Sequence, residues 1–206
     1  MTKNIQVQFR EQIPLLLEQL GLNGIGIEVG VAEGEFSECI LKSSKLRKLF
    51  LLDVWQNMDG YEDLNNLKEE IQEKRYLEVL QKMEGHGNRV TVIRGDCNRF
   101  VKYFNNNFFD FVYLDANHVY SEIKRQLYEW HPKVKVGGLF AGHDYMEGKD
   151  LAGTIFGVKS AVDEFVKELG NVKLYVTTDD TPFFPDGITP VPHHLRYFSW
   201  YFRKTE

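Results

Sequence analysis

Residues Ile27-Glu28-Val29-Gly30-Val31-Ala32-Glu33-Gly34 constrain the chain more than any other stretch. An apolar run carrying one acid meets small residues at alternate positions, 30, 32 and 34. The amphipathic run Phe36-Ser37-Glu38-Cys39-Ile40-Leu41 follows directly. Strand, glycine turn and helix in this order let a ligand approach bare backbone, with helix N–H groups close by. The spacing departs from the G-x-G-x-x-G of dinucleotide sites, so the NAD fingerprint is missed. On these residues alone, an ordinary tight turn between a strand and a helix reads the same way.

Strand-like and helix-like segments alternate along most of the length, which points to an α/β fold with a mainly parallel sheet. Strands are expected at Gly24–Val29, Leu46–Asp53, Arg89–Arg94, Phe109–Leu114 and Gly138–Ala141. Helices are expected at Ile13–Leu20, Glu35–Leu41, Val119–Trp130 and Val158–Leu169, with a shorter one over Asn98–Phe104. Val172–Thr177 and Tyr197–Arg203 read as two further strands, making seven. Between them runs a connection holding Pro182, Pro185, Pro190 and Pro192, and the excursion predicts a closing antiparallel pair at one side of the sheet. The aromatic residues of the last strand are expected in the core. Gln56–Gly87 is longer than a crossover helix needs, about a dozen residues. It reads as a helix preceded by an inserted loop, placed where a lid over a ligand or a plain surface connection would both fit.

Length and composition suit one domain spanning residues 1–206, with an N-terminal helix in 1–22 and a lid or insertion in 56–87. A formal charge of −5 argues against binding to a phosphate backbone, so no nucleic-acid partner is expected. The two cysteines, Cys39 and Cys97, form no metal-ligand spacing and no disulfide framework. No apolar run approaches the length of a membrane span, and the first residues hold no hydrophobic leader core. The expectation is a soluble cytoplasmic protein with no membrane partner, and a homodimer is left open.

Four strands end in an acid or a polar cluster containing one: Glu28, Asp53, Asp96 and Asp115. In a doubly wound sheet the carboxyl ends of the strands line one crevice, so these acids are expected to converge. Asp53 lies about twenty residues past the glycine turn, where an acid accepts hydrogen bonds from ribose hydroxyls in several adenosine-cofactor enzymes. Downstream, Tyr113-Leu114-Asp115-Ala116-Asn117-His118 and Gly142-His143-Asp144-Tyr145 gather further polar groups behind apolar runs. An imidazole titrating near neutrality suits removal of a proton from a hydroxyl, so His118 and His143 are candidate catalytic residues. His86, His131, His193 and His194 have no comparable context.

The Glu-x-Gly-x-Ala-x-Gly pattern from Glu28 to Gly34 resembles the first motif of class I S-adenosylmethionine-dependent methyltransferases. The segments around Asp115 and His143-Asp144 resemble those of small-molecule O-methyltransferases of the macrocin and catechol type. The likeness runs from Gly24 to Arg203. It implies the Rossmann-like fold of that class: a seven-stranded, mostly parallel sheet with an antiparallel last strand and helices on both faces. It implies a cofactor-binding set of Glu28, Gly30, Ala32, Gly34, Asp53, Asp96, Cys97 and Asp115. In that set Glu28 faces the methionine amine, Asp96 the adenine amine, and Cys97 forms a wall of the adenine slot. It further implies that Asp115, His143 and Asp144 hold a divalent metal, Mg²⁺ or Mn²⁺. This chain has His143-Asp144 where the metal-dependent relatives carry Asp-Asp or Asp-Asn, so either the metal differs or His143 acts as a base without one. The implied function is methyl transfer from S-adenosylmethionine to a hydroxyl of a small molecule, a sugar or vicinal diol among the candidates. Two alternatives stay open: a noncatalytic nucleotide-binding module, and an NAD-type oxidoreductase on a similar fold.

Overall fold

A computed structural model describes residues 5–60, 65–150, 153–178 and 197–205. The strands are β1 (Ile25–Val29), β2 (Lys48–Asp53), β3 (Val90–Arg94), β4 (Phe109–Leu114), β5 (Val134–Gly142), β6 (Glu147–Lys149), β7 (Ile155–Gly157), β8 (Tyr175–Val176) and β9 (Trp200–Arg203). The α-helices are α1 (Ile13–Gln19), α2 (Glu35–Ser43), α3 (Glu69–Met83), α4 (Cys97–Phe100), α5 (Tyr120–Trp130) and α6 (Val158–Leu169). Seven strands form one sheet in the order β3-β2-β1-β4-β5-β9-β8. Pairs from β3 through β5 are parallel, and β9 runs antiparallel to both β5 and β8. This is the seven-stranded, mostly parallel sheet with an antiparallel late strand that the sequence leads one to expect.

Side chains alternate between two cores, as the period of two along a strand requires. From β4, Phe111 and Tyr113 join Leu49, Leu51 and Leu139 beneath α1, α2 and α3. Val112 and Leu114 join Ile27, Val29 and Phe140 beneath α5 and α6. The apolar stripe of α6, Val158, Ala161, Val162 and Phe165, is buried, and Gly170 closes the helix with φ +72°.

Several boundaries differ from the sequence reading. The leading helix expected over Ile13–Leu20 is α1, and among the described residues of 1–22 it is preceded by a 3₁₀ turn at Arg10–Gln12. Ahead of it, the Val7 N–H donates to the Tyr201 hydroxyl, so the segment 5–8 is tied to β9 instead. The strand expected over Val172–Thr177 pairs only at Tyr175–Val176. A hairpin of β6 and β7, absent from the sequence reading, stands apart from the main sheet. In the 56–87 segment the expected helix is α3, whose Val79 and Met83 are buried against the first core. Tyr61, the four prolines of the late connection, His193 and His194 lie outside the described residues.

The sheet order reverses between β1 and β4, because the chain runs outward to β2 and β3 before returning to β4. A crevice opens at such a switch point, at the carboxyl ends of the strands. Register aligns those ends: Val29 lies opposite both Leu52 and Leu114, and Leu114 opposite Gly142. Gly30 follows at once with φ +89°, and a Cβ there would lie 2.0 Å from the Asp115 carbonyl oxygen. Gly30→Ala is therefore expected to destabilise the protein by about 2–4 kcal/mol, combining left-handed strain with overpacking. Urea unfolding measures this, and a change below about 0.5 kcal/mol would mean that the turn relaxes freely.

Candidate active site

All four expected acids line one cavity of about 1190 Å³ at the strand ends, together with His118, His143 and Asp144. The glycine turn forms one wall. Gly30, Ala32 and Gly34 all have positive φ, at +89°, +47° and +74°. Ala32 is held in that conformation at both ends of its backbone. The Asp53 carboxylate accepts the N–H groups of Val31 at 2.7 Å and Ala32 at 3.0 Å, while the Trp55 indole donates to the Ala32 carbonyl at 2.9 Å. Trp55 is itself left-handed, with φ +38°, and its N–H donates to the other Asp53 oxygen at 2.9 Å. Asp53 thus lies at the cavity wall, as its position predicts, and it also builds the turn.

Glu28 is buried beneath that turn and accepts the Ser37 hydroxyl of α2. Burial raises its pKa to about 8, against the lowering effects of the Ser37 hydrogen bond and the Arg10 cation. Asp96 caps α4, accepting from the Asn98 N–H at 2.8 Å. Cys97 is half-buried beside it, with its thiol pushed up to about 12 mainly by desolvation, which suits a wall and not a nucleophile.

The same cavity carries a second cluster. Asp144, buried and left-handed at φ +54°, accepts from His118 Nδ1 at 2.9 Å and from His143 Nδ1 at 3.0 Å. Desolvation pushes its pKa up, but the two imidazoles and their hydrogen bonds hold it well below the usual carboxylate range. The His118 ring stacks on Phe156 of β7, with centroids 4.8 Å apart, and its carbonyl accepts the Gly157 N–H. One donor atom each from Asp115, His143 and Asp144 lie within 4.8 Å of one another. That spacing and the two-carboxylate, one-imidazole set fit a single divalent ion.

Arg10 is the site residue that sequence reading missed. Its guanidinium donates to Asp115 Oδ2 at 2.9 Å and lies over the Phe36 and Tyr113 rings, 4.2 and 5.3 Å from their centroids. Burial pushes Asp115 up, opposed first by Arg10 and then by His143. No signal near Arg10 marks it, since its partner is 105 positions away. Asp150, Thr154, Phe156 and Tyr197 also line the cavity, so the β6–β7 hairpin and one aromatic from the approach to β9 belong to its rim. The Tyr197 hydroxyl donates to Asp150 Oδ2 at 3.0 Å. Gln56, Asn57, Met58, Asn65 and Asn66 bring the loop before α3 onto the same cavity.

The sequence pattern of a methyltransferase domain family matches residues 27–145, more than half of the chain and nearly all of the cavity's polar residues. The chain belongs to that family. Methyltransferase solved structures share the fold across most of its length. An O-methyltransferase from Bacillus cereus, in complex with S-adenosylhomocysteine, superposes with a TM-score of 0.60 at 16% identity, covering 94% of this chain and 80% of that one. TomG of Streptomyces achromogenes, an O-methyltransferase of tomaymycin synthesis in complex with S-adenosylmethionine, gives 0.60 at 14%, covering 94% and 78%. A Clostridium thermocellum protein provisionally named an rRNA methylase gives 0.62 at 15%, covering 95% and 94%. Among curated proteins, none matches this chain. The methyltransferase family and its fold replace the oxidoreductase alternative. No helix among the described residues is long and apolar enough to cross a membrane.

The buried Glu28 carries a pH consequence. Folded, it keeps a proton that the unfolded chain has released, across a window from about 4.5 to about 8. Its contribution to stability is therefore full below that window and is lost as pH rises through it. Glu28→Gln is expected to flatten the fall of the ligand-free thermal midpoint between about pH 5 and pH 8. An equal slope in both proteins would show that Glu28 is ionised throughout.

Proposed function

We propose that this protein transfers a methyl group from S-adenosylmethionine to a hydroxyl oxygen of a small molecule. The observation that carries the reading is Asp144, a buried carboxylate that accepts Nδ1–H from two histidines in the cavity that the glycine turn also lines. S-adenosylmethionine, when bound, supplies an electrophilic methyl group on a sulfonium. The cofactor fits the residues present: a turn with small side chains, a buried Glu28 for the amine, and Asp53 and Asp96 on the wall beyond. Glu28 would orient the methionine end, Asp53 the ribose and Asp96 the adenine.

At the acceptor end, Asp144 fixes the Nδ1–H tautomer of a histidine and leaves Nε2 as the basic atom. His143 or His118 then takes the hydroxyl proton as the oxygen attacks, and the imidazolium formed is stabilised by Asp144. The walls hold the two reactants in line, which is the larger part of the rate gain for a displacement of this kind. The three-donor set of Asp115, His143 and Asp144 favours a second reading. In that reading Asp115, His143 and Asp144 would hold a divalent ion, which would supply Lewis-acid assistance to loss of the proton from an acceptor hydroxyl. Sugars and other vicinal diols are the first acceptors to test, and the net negative charge disfavours a nucleic-acid acceptor.

Calorimetric titration of chelator-treated protein with S-adenosylhomocysteine tests the cofactor, and micromolar binding is expected. The absence of binding would overturn the reading. Repeating methyl transfer across an acceptor panel with and without Mg²⁺ or Mn²⁺ decides between base and metal. Full activity in the presence of chelator assigns the proton to a histidine, and strict dependence on the ion assigns the metal. Asp144→Asn is expected to lower kcat by about a hundredfold or more while leaving S-adenosylhomocysteine affinity within about threefold. Retention of activity in that variant, with every acceptor, would remove Asp144 from the chemistry.

A further inference from the structure

Arg10 opens a 3₁₀ turn, and its guanidinium is held in one place. The group lies over the Phe36 ring at 4.2 Å, and Nη2 donates to Asp115 Oδ2 at 2.9 Å. The turn is fixed as well: Gln12 Oε1 accepts the Gln8 and Phe9 N–H groups, and the Gln8 carbonyl accepts the Thr178 N–H just past β8. A guanidinium carries five N–H groups, and this one uses few of them. Nε is buried without a partner. Nη1 makes no hydrogen bond among the described residues, but it keeps contact with solvent, and Arg10 lines the cavity with its side chain 21% exposed.

A cation this enclosed ordinarily collects acceptors on the donors it presents. The neighbouring acids are engaged elsewhere. Asp115 gives Arg10 one oxygen, while the other, Oδ1, stands 3.8 Å from His143 Nδ1. Glu28 makes its hydrogen bond with Ser37, and burial keeps it protonated up to about pH 8. Asp144 is shared by two histidines. Nη1 is therefore an open cationic donor in the cavity, on an aromatic support, and its complement is an anionic oxygen brought by a ligand.

We propose that Arg10 Nη1 receives a carboxylate of the methyl acceptor, which makes the acceptor a hydroxy acid: one small molecule carrying both the hydroxyl that is methylated and an acid group. A guanidinium fork is the ordinary partner of a carboxylate. Its place suits that task, since Asp115 stands between Arg10 and His143, and His143 shares Asp144 with His118. An acid held on Nη1 is thus one carboxylate removed from the histidine pair, and anchoring it fixes the hydroxyl for in-line attack. The assignment rests on methyl transfer to a hydroxyl as read above, and it narrows the sugars and diols there to those that bear an acid group. The cofactor carries a carboxylate too, on its methionine end, so the experiment separates the two sources.

Calorimetry on the protein saturated with S-adenosylhomocysteine compares two acids with their neutral amides: glucuronate with glucuronamide, and salicylate with salicylamide. At least one acid should bind about tenfold or more tightly than its amide, as a hydrogen bond to a charged group predicts. In Arg10→Lys the charge beside Asp115 is kept, but one nitrogen replaces the fork, and the preference should fall to about twofold. The side-chain ¹⁵N signal of Arg10 in the unaltered protein should shift with the acid and stay in place with the amide. No preference for either acid over its amide, absence of binding by all four included, would overturn the proposal. So would an unchanged preference in folded Arg10→Lys, or a stationary Arg10 signal whether or not that variant folds. A further titration sets S-adenosylhomocysteine against its decarboxylated analogue, and the ratio between them should stay within about twofold in Arg10→Lys. Loss of that ratio in the variant would give Arg10 to the cofactor's carboxylate and overturn the acceptor assignment. Failure of the unaltered protein to bind S-adenosylhomocysteine would instead overturn the proposed function itself.

Discussion

The Asp53 carboxylate is the interaction on which the site depends. It accepts the N–H groups of Val31, Ala32 and Trp55, and two of these residues are non-glycines with positive φ. A left-handed residue with a Cβ costs about 1–2 kcal/mol, and a hydrogen bond to a charged acceptor returns a comparable amount. One side chain at the end of β2 therefore offsets strain in two segments at once. The result is a turn that stays open beneath the cavity without a ligand to hold it. Asp144 has the same character: it is left-handed, buried, and committed to two partners. Backbone strain gathers around the cavity, as it does where geometry is held for function.

The charges of the site form a balanced set. Arg10 and the two histidines face Asp115 and Asp144, while Glu28 is left with one hydroxyl and a long-range cation. Burying a carboxylate without a close cation favours its neutral form, and Glu28 follows that rule. A ligand ammonium brought beside it would reverse the balance and release the proton. The guanidinium near Asp115 works in the other direction, opposing the rise that burial imposes on that acid. The other oxygen of Asp115, Oδ1, lies 3.8 Å from His143 Nδ1.

Much of this was legible in the residues. Each parallel strand is an apolar run with a sharp polar end, and a parallel sheet places all such ends along one crevice, so Glu28, Asp53, Asp96 and Asp115 could be grouped before any coordinates. The alternate small residues at 30, 32 and 34 were legible for the same reason: each sits where a side chain would strain or block the turn. Other features have no local signature. Arg10 lies in a short, mixed segment, and its meaning depends on Asp115, far along the chain. The β6–β7 hairpin has three-residue strands with a polar, exposed first member, so neither alternation nor apolar content marks it. β8 reads as a longer strand because its residue types suit one, but only Tyr175 and Val176 stand in ladder register with β9.

The sheet order also governs the sequence of events during synthesis. β9 carries the buried Trp200, Tyr201 and Phe202 and sits between β5 and β8, although it is the last strand of the sheet to be made. Until it arrives, β5 has a free edge along Leu139–Gly142, and the aromatic cluster around Phe140 has an open side. A nascent chain lacking β9 thus presents an unpaired apolar strand edge, the kind of surface that other chains and chaperones bind. His143 and Asp144 follow directly on that edge, and the Tyr145 N–H beyond them donates to the Phe198 carbonyl just ahead of β9, so the last strand also pins that end of the cavity.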